Sequence, residues 1–160
     1  MHAQAPISIR KARNQDSTGI LACLRAAFDE FREAYTPGAF LDTILTPEAF
    51  QERMETMSVF VAVNSDDTVV GTIACTVVNE EGHLRGMAVL PSMRGSGVAG
   101  QLLGHAESEL QRRNIARVTL DTTEPLERAM HFYKKHGYRR TGRASNFFGM
   151  PLIEYEKLLG

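Results

Sequence analysis

The 160-residue sequence lacks long apolar runs and has only two cysteines. A helix that crosses a bilayer needs roughly 20 consecutive apolar residues, so we expect no membrane-spanning segment and no membrane partner. Cys23, in a helical pattern, and Cys75, in a strand pattern, are too few for a disulfide framework and are expected to be small buried residues. Residues 1–6 lack the basic and apolar regions of a signal peptide, which predicts a cytoplasmic protein.

A strong charge of either sign is also missing, since the net charge is −1. A chain that is not basic overall disfavours a nucleic-acid-binding surface. The charges are unevenly distributed, because residues 1–80 hold 6 Lys and Arg against 11 Asp and Glu, whereas residues 81–160 hold 12 against 8. This asymmetry would suit a cationic substrate that meets an anionic cofactor, and it is equally compatible with chance placement on solvated faces.

The sequence that remains is typical of one globular α/β domain over residues 1–160, without repeats or linkers. A strand at 7–10 is followed by a helix capped by Asp16, an irregular or partly helical segment at 35–46 and a short helix from Thr46 to about Met54. Strands at 59–63 and 69–78 form a hairpin. Later strands are predicted at 84–90, 118–121, 138–141 and 153–155, with helices after residue 97 and around Pro125. Gly86 predicts a bulge in the strand at 84–90.

The most informative segment is the stretch Arg94-Gly95-Ser96-Gly97-Val98-Ala99-Gly100, at the start of a predicted helix. Closely spaced glycines at a helix N-terminus expose backbone N–H groups to an anion. The stretch also matches the dinucleotide fingerprint G-x-G-x-x-G. However, Pro91-Ser92-Met93 separates it from the preceding strand, and the 60 residues after it are too few for a doubly wound sheet. A small dinucleotide-binding protein and a glycine-rich helix entry without a ligand are the minor alternatives.

Two blocks of the sequence resemble the GNAT superfamily of N-acetyltransferases. Arg94, Gly97 and Ala99 match the R-x-x-G-x-A pattern of its acyl-CoA-binding segment, and residues 129–138 resemble its A-x-x-x-Y-x-x-x-G-[FY] block. The resemblance in element order covers the whole chain. It implies a mixed, twisted sheet of six or seven strands that is splayed at the CoA site. Helices on both faces are implied as well, in the order β-α-α-β-β-β-α-β-α-β-β.

The resemblance implies that the chain binds acetyl-CoA and needs no metal. The residues implied to contact the cofactor belong to a strand end and the glycine-rich loop: Met87, Ala88, Val89, Arg94, Gly95, Ser96, Gly97, Val98, Ala99 and Gly100. The strand end pairs with the pantetheine arm, and the loop receives the pyrophosphate. One departure is Leu126, where many relatives have a cofactor-binding asparagine. Thr122, Thr123 and Glu124 at the neighbouring strand end are the candidate substitutes.

The resemblance also implies that Tyr133 is the general acid that protonates the departing thiolate, because a phenol stays protonated at neutral pH. Helical periodicity alone would make Tyr133 a core residue. For the general base, Glu81 is the first choice and His83 the second, since both flank the central strand. Loss of the amine proton through ordered water, without a single base, is a third route.

The acceptor is expected to be a primary amine on a small molecule, peptide or protein, which attacks acetyl-CoA directly in a ternary complex. Aromatic residues of the first helix and later loops are expected to form its pocket or to pack in the core: Phe28, Phe31, Tyr35, Phe40, Phe147 and Phe148. Asp29, Glu30 and Glu33 attract an amine or simply solvate a helix. A CoA-binding regulatory module without turnover is the alternative function, and a homodimer is compatible with either.

Overall fold

The fold is built on a seven-stranded mixed sheet, here described from a computed structural model of residues 6–160. Residues 1–5, on which most of the signal-peptide expectation rests, lie outside the described residues. The strands are β1 (Ser8–Lys11), β2 (Ser58–Val63), β3 (Val69–Val78), β4 (Glu81–Val89), β5 (Arg117–Thr122), β6 (Arg139–Phe147) and β7 (Met150–Leu158). They lie in the order β1-β2-β3-β4-β5-β7-β6, and β4 and β5 run parallel while all other neighbours run antiparallel. The predicted mixed sheet is confirmed.

Five α-helices surround the sheet: α1 (Ser17–Phe28), α2 (Pro37–Ile44), α3 (Pro47–Thr56), α4 (Val98–Arg112) and α5 (Glu127–Lys135). Three α-helices therefore lie between β1 and β2, because the segment at 35–46, predicted to be irregular or partly helical, contains α2 in addition to the two helices of the predicted order. The additional helix α2 begins as α3 does, with a threonine N-cap followed by proline. The Thr36 hydroxyl accepts from Ala39 N at 3.2 Å, and the Thr46 hydroxyl accepts from Ala49 N at 3.1 Å.

Helices cover both faces of the sheet, as predicted. The apolar stripe of α4 is buried against one face, in a cluster that includes Leu102, Leu110 and Tyr133 of α5. On the other face, α1 and α3 contribute Leu24 and Phe50 to a second cluster. Amphipathic helices thus cover each face of the sheet, and the core lies between the helices and the sheet on both sides. No helix among residues 6–160 combines the length and apolarity that a bilayer crossing requires.

Strand β4 contains the predicted bulge. Thr72 of β3 pairs with Ala88 and Ala74 pairs with Arg85, so two residues of β4 oppose one residue of β3. Gly86 lies within the bulge at φ 63°, in the left-handed region that favours glycine. The bulge bends β4 in the middle of the sheet, next to the point where β5 separates from β4.

Candidate active site

The parallel pairing between β4 and β5 ends after three residues. Residues 82–84 pair with residues 118–120, whereas β4 continues along β3 as far as Val89. Beyond Leu84, no strand among the described residues pairs with the β5 side of β4. The two strands therefore separate, and the predicted splay is confirmed. A cavity of about 640 Å³ occupies the gap.

This cavity reaches both faces of the sheet. On the α4 side its wall includes Val98 and Tyr133, and on the opposite side it includes Phe28, Asp42 and Arg53 from the first three helices or their ends. Two ligands can therefore approach from opposite faces, and their reacting groups can meet at the split. The backbone of residues 85–89, which no described strand pairs on the β5 side, forms the edge along which they would meet.

Glycines shape the loop at the α4 mouth of the cavity. Gly95 and Gly97 have φ values of 79° and 88°, and Gly97 is the N-cap of α4. Side chains rarely tolerate this backbone region. A Cβ atom at either position would have no other heavy atom within 4 Å. Backbone conformation, rather than crowding, is therefore what calls for glycine here, and the bare loop leaves room for a ligand.

The same loop offers some of its N–H groups but not all of them. Those of Arg94 and Ser96 donate to loop carbonyls, at 3.3 Å each. The N–H groups of residues 98–100 belong to the first turn of α4 and therefore have no intrahelical acceptor. Together with the positive end of this 15-residue helix, they form an anion-binding surface. The available donors are thus concentrated in the second half of the predicted segment.

The Arg94 side chain reaches across the cavity mouth to Glu30. Arg94 Nη2 lies 2.6 Å from Glu30 Oε1, and Arg128 Nη1 of α5 lies 3.3 Å from the same oxygen. Partial burial favours the neutral carboxyl, but the two arginines outweigh it and hold the pKa of Glu30 below its usual range. Glu30 is thus an exposed carboxylate held by two arginines, and a role for it in attracting an amine stays a prediction.

Tyr133 lies in the wall of the cavity and is only 7% exposed. Its ring packs edge-on against Phe132 and Tyr138, with centroid separations of 5.4 and 5.8 Å. Burial raises the pKa of the phenol. No hydrogen bond of the hydroxyl to another described residue is present, so the proton is retained at neutral pH and is free to be donated to a ligand. Tyr133 is thus a core residue, as helical periodicity predicts, and it also lines the cavity; its role as general acid stays a prediction.

The end of β5 provides an unpartnered hydroxyl beside the cavity. Thr123 Oγ1 lies 2.6 Å from the hydroxyl of Tyr35, so that group is satisfied. Thr122 Oγ1 is buried and has no hydrogen-bond partner within residues 6–160. An unsatisfied buried hydroxyl costs about 1–3 kcal/mol, which a ligand group in the cavity would offset. Leu126 also lines the cavity and has no polar atom to contribute.

His83 and Asp121 form a polar pair on the cavity wall. His83 Nε2 lies 3.6 Å from Asp121 Oδ2, and His83 Nδ1 lies 2.9 Å from the hydroxyl of Thr119. Burial lowers the pKa of His83, against the opposing effect of Asp121, and burial raises the pKa of Asp121. The imidazole is therefore neutral at pH 7 and able to accept a proton.

Glu81 is not brought to the cavity. It stands at the start of β4, where its carboxylate lies 2.8 Å from Arg117 Nη1. Half of the side chain is exposed, and it is absent from the cavity lining. The ion pair with Arg117 explains its position, since β4 and β5 are still paired at this end. Of the two bases predicted from the sequence, His83 alone joins Tyr133.

The wall of the cavity opposite α4 carries most of the aromatic residues predicted for an acceptor pocket. Phe28 lies 6.4 Å from both Phe31 and Tyr35, measured between ring centroids, and all three line the cavity together with Phe147. Phe40 instead packs in a separate core cluster beneath Arg32. The lining residues are both wall and packing, so the two predicted roles do not exclude each other.

Sequence reasoning missed four charged residues on this side of the cavity: Asp42, Arg53, Arg85 and Asp121. A signal existed for Asp121, because the parallel register pairs His83 with Thr119 and alternation places Asp121 on the same face. Nothing in the sequence of α3 indicates that Arg53 faces a ligand. Its position depends on how α3 packs over the bulge.

Neither cysteine belongs to the cavity wall. Both thiols are buried. Burial raises the pKa of Cys23 to about 12 and that of Cys75 to about 11. Both therefore stay protonated and inaccessible, so neither can serve as an acyl-accepting nucleophile. Within residues 6–160, no three His, Cys, Asp or Glu side chains are grouped so as to hold a metal ion.

Comparison with known proteins agrees with this geometry. The model of the acetyltransferase (GNAT) family matches residues 21–138. The peptidyl-lysine N-acetyltransferase YjaB of Escherichia coli K12 is 29% identical over 143 residues, which cover 86% of each chain. Its counterpart in Salmonella typhimurium is 25% identical over 138 residues, covering 86% of this chain and 87% of that protein. The PaiA N-acetyltransferase of Thermoplasma acidophilum, solved with coenzyme A, superposes with a TM-score of 0.80 at 18% identity, over 96% of this chain and 99% of that one.

Proposed function

Because this chain belongs to the acetyltransferase (GNAT) family, we propose that it transfers the acetyl group of acetyl-CoA to a primary amine by direct attack. The observation that carries the proposal is the split between β4 and β5. It exposes a strand edge between an anion-binding loop on one face and a polar pair on the other. Among residues 6–160, β4 and β5 are the only parallel neighbours, which argues against the parallel sheet of a doubly wound dinucleotide-binding protein.

The cofactor is held from the α4 face. The N–H groups of residues 98–100 bind the pyrophosphate, with Arg94 adding charge. The free edge of residues 87–89 pairs with the amides of the pantetheine arm, as an added strand would. Thr122 Oγ1 is proposed as the contact that replaces the asparagine missing at Leu126, because it is the orphaned hydroxyl at this wall.

His83 and Tyr133 handle the two protons of the reaction. The neutral amine nitrogen attacks the acetyl carbon, and His83 accepts the proton that this nitrogen loses as the carbon–nitrogen bond forms, while Asp121 stabilises the imidazolium. The carbon–sulfur bond breaks, and Tyr133 donates its proton to the departing thiolate. Solvent then takes the proton of the imidazolium and returns a proton to the Tyr133 phenolate. The two groups belong to opposite sides of the split, consistent with an amine and a thioester that meet there.

The acceptor class is a primary amine, and a lysine side chain in a peptide is one candidate. The two relatives described above are peptidyl-lysine N-acetyltransferases by name, and the aromatic wall of Phe28, Phe31 and Tyr35 suits the aliphatic part of such a side chain. A cytoplasmic location and a homodimer stay predictions.

The test is steady release of thiol from acetyl-CoA with a panel of amines, alongside calorimetry of CoA binding. Turnover with at least one amine supports the proposal. Tight CoA binding without thiol release on any amine, together with no effect of Tyr133→Phe on that binding or on the background thiol release, would identify a regulatory module instead. Absence of CoA binding would contradict both functions.

A further inference from the structure

Arg53 of α3 extends into the acceptor side of the cavity and lies directly over Gly86. A Cβ atom at Gly86 would collide with the Arg53 guanidinium. The bulge glycine therefore serves two purposes, because it adopts the left-handed conformation and makes room for this side chain. The guanidinium is partly buried and lines the cavity.

No described carboxylate lies within ion-pair distance of this guanidinium. Among residues 6–160, no ion pair or side-chain hydrogen bond involves Arg53. The nearby acids have other neighbours, since Asp42 Oδ2 lies 3.9 Å from Arg85 Nη2 and Asp121 pairs with His83. Burial and the charge of Arg85 lower the pKa of Arg53 to about 10, against the opposing effect of the more distant Asp42 carboxylate. The group is therefore still charged at neutral pH, and a charge withdrawn from water without a partner is unfavourable.

We propose that Arg53 binds a carboxylate of the acceptor and thereby selects amines that carry one. This inference rests on the proposed function, because it names the acceptor class of the same site. The planar guanidinium fork matches a carboxylate with two parallel hydrogen bonds. The phosphates of the cofactor are not the intended partner, since their site is at the N-terminus of α4, and α4 and α3 pack in separate clusters on opposite faces of the sheet.

The spacing within the cavity restricts where that carboxylate lies on the acceptor. His83 and Gly86 are three positions apart along β4, which corresponds to about 10 Å between their backbones. An amine at His83 and a carboxylate at Arg53 must therefore be separated by several bonds. The ε-amine and main-chain carboxylate of lysine have such a separation, and so do a lysine and a neighbouring acidic side chain in a peptide. The amine and carboxylate of a simple α-amino acid are too close together.

Matched acceptors isolate the carboxylate. Nα-acetyl-lysine and Nα-acetyl-lysinamide have the same reactive amine and differ in the carboxylate alone. For the peptide source, an acetylated and amidated Lys-Glu dipeptide is compared with Lys-Gln. We expect the wild-type protein to prefer the carboxylate member of at least one pair by about tenfold or more in kcat/KM. The pair that shows the preference identifies the source of the carboxylate.

Variants then assign the preference to Arg53. Arg53→Met keeps an extended apolar side chain and removes the charge, so we expect the preference to vanish through a loss of kcat/KM on the carboxylate acceptors that exceeds any loss on the uncharged ones. Arg53→Lys should retain part of the preference, because the charge remains without the fork. Arg25→Met, an exposed arginine on α1 outside the cavity, is the control and should behave as wild type.

Calorimetric titration of each acceptor into the CoA-saturated protein gives a readout that does not depend on turnover. Tighter binding of the carboxylate member, lost in Arg53→Met, supports the proposal even if no amine is acetylated. The proposed function would then have failed separately. Equal affinity and equal kcat/KM of the wild type for the two members of each pair would overturn the carboxylate site. An equal loss on charged and uncharged acceptors in Arg53→Met would also overturn it, since that result indicates a structural role.

Discussion

Glu30 forms an ion pair with Arg94 across the mouth of the cavity, with 2.6 Å between Glu30 Oε1 and Arg94 Nη2. Glu30 follows α1, whereas Arg94 belongs to the loop before α4, so this ion pair links the two walls of the cavity. Arg128 shares the same carboxylate oxygen. A pyrophosphate that docks at this loop must compete with Glu30 for both arginines.

Replacing Glu30 should therefore strengthen cofactor binding. We expect Glu30→Gln to lower the Kd of CoA about two- to fivefold, because exposed ion pairs of this kind are worth up to about 1 kcal/mol. Calorimetry measures the change, and Glu33→Gln, an exposed neighbour outside the cavity, serves as the control. Weaker binding in Glu30→Gln would show that the carboxylate positions Arg94 instead of competing for it.

Tyr133→Phe should separate catalysis from folding. The hydroxyl has no partner among the described residues, so its removal leaves the packing against Phe132 and Tyr138 intact and the Tm within a few degrees. Loss of the proton donor should lower kcat by about 10²- to 10⁴-fold, with CoA affinity unchanged. A rate near that of wild type would assign thiolate protonation to water.

The acid limb of the pH–rate profile should report His83. Burial lowers the pKa of this imidazole, so the base form persists as pH falls and kcat/KM should decline only below the ordinary value of about 6.5. Asp121→Asn removes the carboxylate that opposes this shift and should move the limb to still lower pH. The profile is measured with one acceptor throughout, so that the titration of the amine itself is common to all variants.

His83→Gln should abolish that limb and reduce the rate. His131→Gln, an exposed histidine of α5 outside the cavity, is the matched control. If Glu81→Gln removed the limb while His83→Gln left it, the base would be Glu81, acting from a position other than its ion pair with Arg117.

Gly86→Ala tests the bulge. Alanine at φ 63° costs about 1–2 kcal/mol, and its Cβ displaces the Arg53 guanidinium. Urea unfolding should show that loss of stability, and any preference for carboxylate acceptors should fall. Gly104→Ala in α4 provides the contrast, since a Cβ there meets open space and alanine should stabilise the helix by about 0.5–1 kcal/mol. Unchanged stability in Gly86→Ala would mean that β4 relaxes without the bulge.

Local patterns were sufficient to predict most of the fold. Short stretches of sequence predict the bulge at Gly86, the start of a helix at Gly97, and the hairpin of β2 and β3. The last hairpin is longer than predicted, because most β6 side chains are exposed at the edge of the sheet and no apolar alternation marks the strand. Helix α2 was hidden by Pro37 and Gly38, although Thr36-Pro37 is itself a helix start.

The site was predictable where it is local and not where distant segments meet. The glycine loop and Tyr133 each lie within a recognisable block. The choice between Glu81 and His83 depends on where β4 and β5 part, which strand alternation does not reveal. The positions of Arg53 and Glu30 depend on contacts with Gly86 and Arg94, which are 33 and 64 positions further along the chain.

The opposite mouths of the cavity have a kinetic consequence. If the donor and the acceptor approach from opposite faces, as proposed, neither must depart before the other arrives, and we expect no fixed order of addition. A bulky acceptor, such as a lysine on a folded protein, could approach the α1–α3 side while coenzyme A still occupies the α4 side. Product coenzyme A would then compete with acetyl-CoA for its own mouth and leave access to the acceptor mouth open.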